Sequence, residues 1–151
     1  MKLKVLIGNG RKIGLFTLPF LIAGFSLNII FPEFFIVNDT SGKLFWISLL
    51  FLLIGIINWI WTVVLILTKI PRKQLITTGP YAIVKHPLYV GVAWLVLPWA
   101  GLMLNTWLGI FLGIVVYIGS RIFSPEEEKL LSGIFGNEWE VYSKKVLLPW
   151  I

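Results

Sequence analysis

The 25 residues from Leu44 to Thr68, LFWISLLFLLIGIINWIWTVVLILT, contain no charged side chain. About 20 apolar residues in a helix cross a hydrocarbon core, so this stretch is long enough to span a bilayer with some tilt. Lys43 and Lys69 bound it on either side. The whole chain shares this character: of its 151 residues 58% are hydrophobic and 13% charged, and mean hydropathy is +0.90. Soluble domains carry about 25% charged residues. The composition therefore points to an integral membrane protein.

Working outward, Ile13 to Phe31 is an uncharged run of 19 residues with Pro19 inside it, where a kink is expected. On the other side, Leu88 to Ile122 stays apolar up to Arg121, too long for one helix. Asn105-Thr106, following Gly101, is the natural break. It divides the run into Leu88–Leu104 and Thr106–Ile122, each roughly 26 Å long as a helix, joined as a hairpin with almost no loop. The sequence thus predicts a single all-α integral membrane domain over residues 1–151. About four transmembrane helices are expected at 13–31, 44–68, 88–104 and 106–122, with a loop at 69–87 and a tail at 123–151. Met1 to Lys12 lacks the long apolar stretch and cleavage site of a signal peptide, so an uncleaved first span is expected.

Lysine and arginine set the orientation. Lys2, Lys4, Arg11 and Lys12 lie before the first span, and Lys69, Arg72, Lys73 and Lys85 in the second loop. Arg121, Lys129, Lys144 and Lys145 lie at the C-terminal end, leaving Lys43, beside Glu33 and Asp39, for the other side. The positive-inside rule then places both termini and the second loop in the cytoplasm. On this reading the net charge of +6 belongs to membrane topology, and no nucleic-acid partner is expected. Asn38-Asp39-Thr40 is a formal glycosylation sequon on the outer side, attributed to chance. The absence of cysteine excludes disulfides and thiol chemistry, and a single histidine excludes a histidine-rich metal site. No metal is expected.

Polar residues gather where the apolar runs stop. Thr77 to Gly91 holds the only histidine, His86, and two of the four tyrosines, Tyr81 and Tyr89. Gly79-Pro80 marks a turn, and His86-Pro87 makes His86 extended and starts a helix at Pro87. In the tail, Ser124, Pro125 and Glu127 fit an N-cap, N1 and N3 pattern. Gly136 is a plausible stop for the helix that follows. Glu127, Leu131 and Phe135 share a face at i, i+4 and i+8. Trp139, Tyr142, Val146 and Pro149 form an aromatic amphipathic segment suited to the interface. The charge rule puts loop and tail on one side, flanking the hairpin. A carboxylate, a histidine, two tyrosines and several cations then converge at the lipid boundary, open to a soluble cofactor from one side and an apolar substrate from the other.

Leu75 to Tyr81, followed by Val84-Lys85-His86-Pro87-Leu88-Tyr89-Val90-Gly91, resembles the signature of the isoprenylcysteine carboxyl methyltransferase and phospholipid methyltransferase superfamily. Glu127-Glu128, Leu131, Phe135-Gly136, Trp139, Tyr142, Val146 and Pro149 follow that family's closing pattern. The resemblance covers Lys73 to Trp150. It implies S-adenosylmethionine-dependent methylation of a lipid-borne or apolar acceptor at the bilayer. Carried over residue by residue, it implies cofactor contacts from Lys73, Gln74, Leu75, Ile76, Tyr81, His86, Pro87, Leu88, Tyr89 and Glu127. A carboxylate such as Glu127 suits an ammonium group or ribose hydroxyls, and aromatic faces suit a sulfonium.

Three positions depart from the family's pattern. Lys85 stands where an arginine is usual, Trp139 where many relatives have tyrosine, and Phe123 where the carboxyl-methylating branch has a substrate-contacting arginine. Arg121 is the nearest cation to Phe123, and substrate orientation is the role it would take. Two other classes fit less of the chain. A nicotinamide-dependent sterol-reductase-like enzyme would have asparagine and an acid where Leu88 and Val92 stand. A non-catalytic lipid-binding protein would leave His86, the tyrosines and the Glu pair unexplained together.

Overall fold

The computed structural model describes residues 9–38 and 42–148. Lys2, Lys4, Asp39, Thr40, Pro149 and Trp150, used in the sequence argument, lie outside the described residues. Five helices carry the fold: α1 (Gly10–Ile30), α2 (Lys43–Lys69), α3 (Pro87–Met103), α4 (Leu108–Phe135) and α5 (Asn137–Lys145). Short 3₁₀ turns at Pro32–Phe34, Ile70–Arg72 and Gly79–Ala82 join them. No strand is present among the described residues, only two isolated bridges. Three helices, α1, α2 with its 3₁₀ extension, and α4, are long and apolar enough to cross a membrane. The helix at the expected third span, α3, is apolar but shorter.

Packing follows the logic of a lipid solvent. The residues α2 buries are small, Ser48, Gly55 and Thr62, one heptad apart. Its large side chains, including Trp46, Ile57 and Trp61, face outward. α1 likewise buries Ile13, Thr17 and Gly24 while exposing Leu15, Ile22 and Ile29. Lipid tails are as apolar as leucine, so membrane helices associate through small residues that let backbones approach. α1 continues through Pro19, which leaves the Leu15 carbonyl without its usual i+4 partner.

The hairpin of α3 and α4 is the core. Its turn falls at Asn105-Thr106, as the break in the apolar run predicted, with Asn105 at φ 59°. The Thr106 N–H donates to the Gly101 carbonyl at 2.9 Å. A Cβ on Gly109 would lie 2.1 Å from the Leu97 carbonyl oxygen and 2.7 Å from the Gly101 Cα, so only glycine allows this approach. Within α3, Val92–Val96 forms a π-turn just before Pro98, which has no N–H to give the Trp94 carbonyl. Residues Phe35–Val37 pair with the hairpin turn, through Val37 N–H to the Asn105 carbonyl and Trp107 N–H to the Phe35 carbonyl.

One expectation is corrected here. Ser124-Pro125 does not begin a new helix: α4 runs unbroken from Leu108 to Phe135 with Pro125 inside it. Local capping chemistry favoured a start, but buried Ser120 and Ser124 continue the packed face of the helix across that point. At 1.5 Å per residue α4 is ~42 Å long, more than a hydrocarbon core of about 30 Å. The apolar part ends near Ile122, and the acidic turn Glu126–Glu128 extends beyond it. The helix stops at Gly136, whose φ of 52° and ψ of −123° suit glycine, and α5 folds back from there.

Candidate functional site at one end of the bundle

The loop, the tail and the start of α1 meet at a single end of the molecule. The α5 segment is clamped onto the loop: Leu147 and Leu148 donate backbone N–H groups to the carbonyls of Ala82 and Ile83. The Tyr142 hydroxyl donates to the Tyr81 carbonyl at 2.8 Å. Trp139, Tyr142 and Val146 form a buried cluster with Leu75, Tyr81, Leu131 and Phe135. Loop and tail thereby roof a cleft over the mouths of α3 and α4.

That cleft has an enclosed volume of ≈ 60 Å³, and ≈ 610 Å³ when the open space at its mouth is counted. Its floor is Leu88, Tyr89 and Glu127, and its walls include Leu75, Ile76, Tyr81 and His86. Seven of the sequence-predicted residues therefore line one space. Lys73, Gln74 and Pro87 do not line it. Lys73 holds a left-handed conformation at the end of the Ile70–Arg72 turn, and both it and Gln74 are exposed. Pro87 is buried and lines a separate groove against α2 with Asn58. Arg121 is exposed on α4, about 200° around the helix from Phe123, and does not line the cleft. Phe123 packs edge-on to Phe16 of α1, with the Lys12 ammonium 6.0 Å from its ring centre.

The polar contacts sort by helix geometry. Tyr89 donates its hydroxyl proton to Glu127 Oε2 at 3.2 Å. His86 Nε2 lies 3.3 Å from Glu128 Oε1, and Lys85 Nζ 3.2 Å from Glu128 Oε2. His86 is therefore held by the neighbouring carboxylate, while its ring stacks near Tyr89 with centroids 6.0 Å apart. The bond from His86, helped by Lys85, holds the Glu128 carboxyl below its ordinary range, against partial burial. Glu128 lies past the apolar part of α4, which ends near Ile122. Burial, with the charge of Glu127 second, pushes the Tyr81 phenol far up, and burial does the same for Tyr142. Both phenols stay protonated donors at any physiological pH.

Six lining residues are not among the cofactor contacts that the resemblance implies: Ile66, Ile70, Lys85, Leu131, Trp139 and Tyr142. Trp139, Tyr142 and Leu131 had been visible as part of the closing motif. Ile66 and Ile70 were hidden inside an apolar run that gives no hint of a site. On the far side of Leu88 and Tyr89 a second, apolar groove opens between α1 and α2. Ile13, Gly14, Thr17, Leu18 and Leu21 line it from α1, and Trp59 from α2. It holds ≈ 760 Å³ counting its open side. The Thr17 hydroxyl is satisfied by its own helix, at 2.8 Å from the Ile13 carbonyl, so it adds no unmet polarity.

An all-helical integral membrane protein with a cleft at one end that holds a carboxylate and a histidine, beside an apolar groove along its side, is the class that the fold and the site define. The phospholipid methyltransferase signature matches residues 41–138 of the 151, and the chain belongs to that family of membrane methyltransferases. The match takes in α2, which by itself reads only as a generic apolar helix, and leaves α1 outside. No curated protein and no solved structure matches the chain significantly.

Proposed function

We propose that the protein is an S-adenosylmethionine-dependent methyltransferase acting on a lipid-borne or apolar acceptor, with its site on the cytoplasmic side. One observation carries this reading. Leu88 and Tyr89 line both the cleft that holds Glu127 and His86 and the apolar groove. A soluble ligand in the first and an apolar one in the second would meet at these two residues.

The chemistry of the lining residues fits the cofactor. Glu127 offers a carboxylate for an ammonium or ribose hydroxyls, and Tyr81, Trp139 and Tyr142 offer aromatic faces. Leu75, Ile76, Ile66 and Ile70 supply apolar walls for a flat ring system. When bound, the sulfonium supplies an activated methyl group for direct displacement. The protein's own residues bind, orient and exclude water, the contributions that an in-line transfer needs most. Glu128, already engaged with His86 and Lys85, fixes the helix entry at Pro87 instead of facing the ligand. The lysine and arginine asymmetry supports the cytoplasmic placement. Membership of a methyltransferase family favours methyl transfer over nicotinamide-dependent reduction.

Calorimetry on the detergent-solubilised protein tests the reading. S-adenosylhomocysteine should bind, and Glu127→Ala should weaken it about tenfold or more, as expected for a charge-assisted bond. A folded protein that binds neither this product nor S-adenosylmethionine would sink the proposal.

A further inference from the structure

α1 lies outside the family match, yet its first turn reaches the carboxylate at the centre of the cleft. Asn9 is 8% exposed and occupies the N-cap position of α1. An asparagine there ordinarily accepts a bond from its own helix's N–H groups. No such bond forms. Its side-chain amide instead donates to the Phe123 carbonyl of α4, and its backbone N–H donates to Glu127 Oε2 at 3.4 Å.

Those two acceptors are the ends of one helical turn with Pro125 inside it. A proline removes a backbone donor and crowds the preceding turn, so this is the weakest place in α4. Asn9 grips it at both ends. Tyr89 approaches the same Oε2 from α3, at 3.2 Å. Two donors from two different elements fix the rotation of the carboxylate, and both engage the same oxygen. Among the described residues Oε1 has no such donor.

We infer that Asn9 is a positioning residue for the cofactor site: it holds the Pro125 turn closed and, with Tyr89, turns Glu127 so that Oε1 presents to the ligand. This rests on the cofactor reading proposed above. α1 is thereby part of the site and not only a membrane anchor. The neighbouring Lys12–Glu126 ion pair is largely exposed, and such pairs contribute little. α1 has other attachments to α4, including Phe20 against Phe111, with centroids 6.5 Å apart, and Gly24 under Leu108. Loss of the Asn9 side chain therefore leaves α1 docked.

The experiment is calorimetry with S-adenosylhomocysteine on the full chain in detergent, which needs no acceptor and no turnover. Asn9→Ala should weaken binding about tenfold. Asn9→Asp keeps the shape but removes the donor and adds a charge beside Glu127, so its loss should be at least as large. In a Glu127→Ala background Asn9→Ala should have no further effect, because the two act as one unit. Phe20→Ala, which loosens α1 away from the site, should lower the thermal midpoint and leave affinity unchanged. Failure of the unaltered protein to bind would defeat the cofactor reading itself. Wild-type affinity in both Asn9 variants, with the unaltered protein binding, would overturn the role given to Asn9. So would an equal loss with and without Glu127. If Asn9→Ala does not fold, Asn9→Ser, neutral and favoured at a helix N-cap but without the amide donor, takes its place in the comparison.

Discussion

Three consecutive glutamates take three different sets of partners. Glu126 pairs with Lys12 of α1, Glu127 accepts from Tyr89 and Asn9, and Glu128 holds Lys85 and His86. Successive helical residues point about 100° apart, so neighbours in sequence cannot share a partner on one face. A Glu-Glu motif is therefore two devices, one turned to the cleft and one to the loop. Glu128 gives a pH signature. Its folded carboxyl sits below the ordinary value near 4.5, through the bond from His86 first. The unfolded chain then binds more protons in that window, so stability rises with pH there. The contribution is fully present above about 4.5 and is lost as pH falls through the lower folded value. Thermal midpoints across that range should show Glu128→Gln less stable than the unaltered protein near neutrality, with the gap closing in acid. The gap should stay below about 1 kcal/mol because the group is partly screened. A gap that widens in acid would contradict the assignment.

At the scale of elements, two signals were legible and one misled. The break at Asn105-Thr106 could be read because the run from Leu88 to Ile122 exceeds any single span, and this polar pair lies in its middle. The loop residues could be read because rigid and polar types cluster where the spans stop. Ser124-Pro125 misled because a cap signature is local, whereas the continuity of α4 depends on what packs against Ser120 and Ser124. Asn9 was illegible for the same reason: its partners lie 114 and 118 residues away. The hairpin gives the sharpest test of element packing. Gly109→Ala places a methyl against the Leu97 carbonyl and the Gly101 backbone, neither of which can rotate aside. It should cost at least about 2 kcal/mol, and more if the hairpin cannot spread. Gly14→Ala, with nothing within 4 Å of the new methyl, should be neutral or mildly stabilising through helix propensity. Comparable thermal midpoints for both variants in detergent would show that α3 and α4 do not meet through these glycines.

For the whole molecule, the arrangement of helices decides what can reach the site. α1 rests on α4 and α2 on α3, so a groove stays open between α1 and α2 and ends at Leu88 and Tyr89. A bilayer would cover large exposed side chains on both helices; on the function proposed above, the groove would then serve as a side entrance from lipid and the cleft as an entrance from water. Gly14 is the place to test this, since it lines the groove, has open space above it, and lies one turn from Gly10, which sits beside Tyr89. Gly14→Trp fills the groove with an indole facing Trp59 and trades a poor helix former for a better one, so the fold should persist. S-adenosylhomocysteine should bind the variant as tightly as the unaltered protein. Methyl transfer should fall most for acceptors with long hydrocarbon chains, by about tenfold or more, and least for short-chain analogues with the same head group. A methylation assay over such a chain-length series reads the two effects separately. If the losses are equal for long and short chains, or absent for both, the hydrocarbon part of the acceptor lies elsewhere and the groove is only a gap filled by lipid.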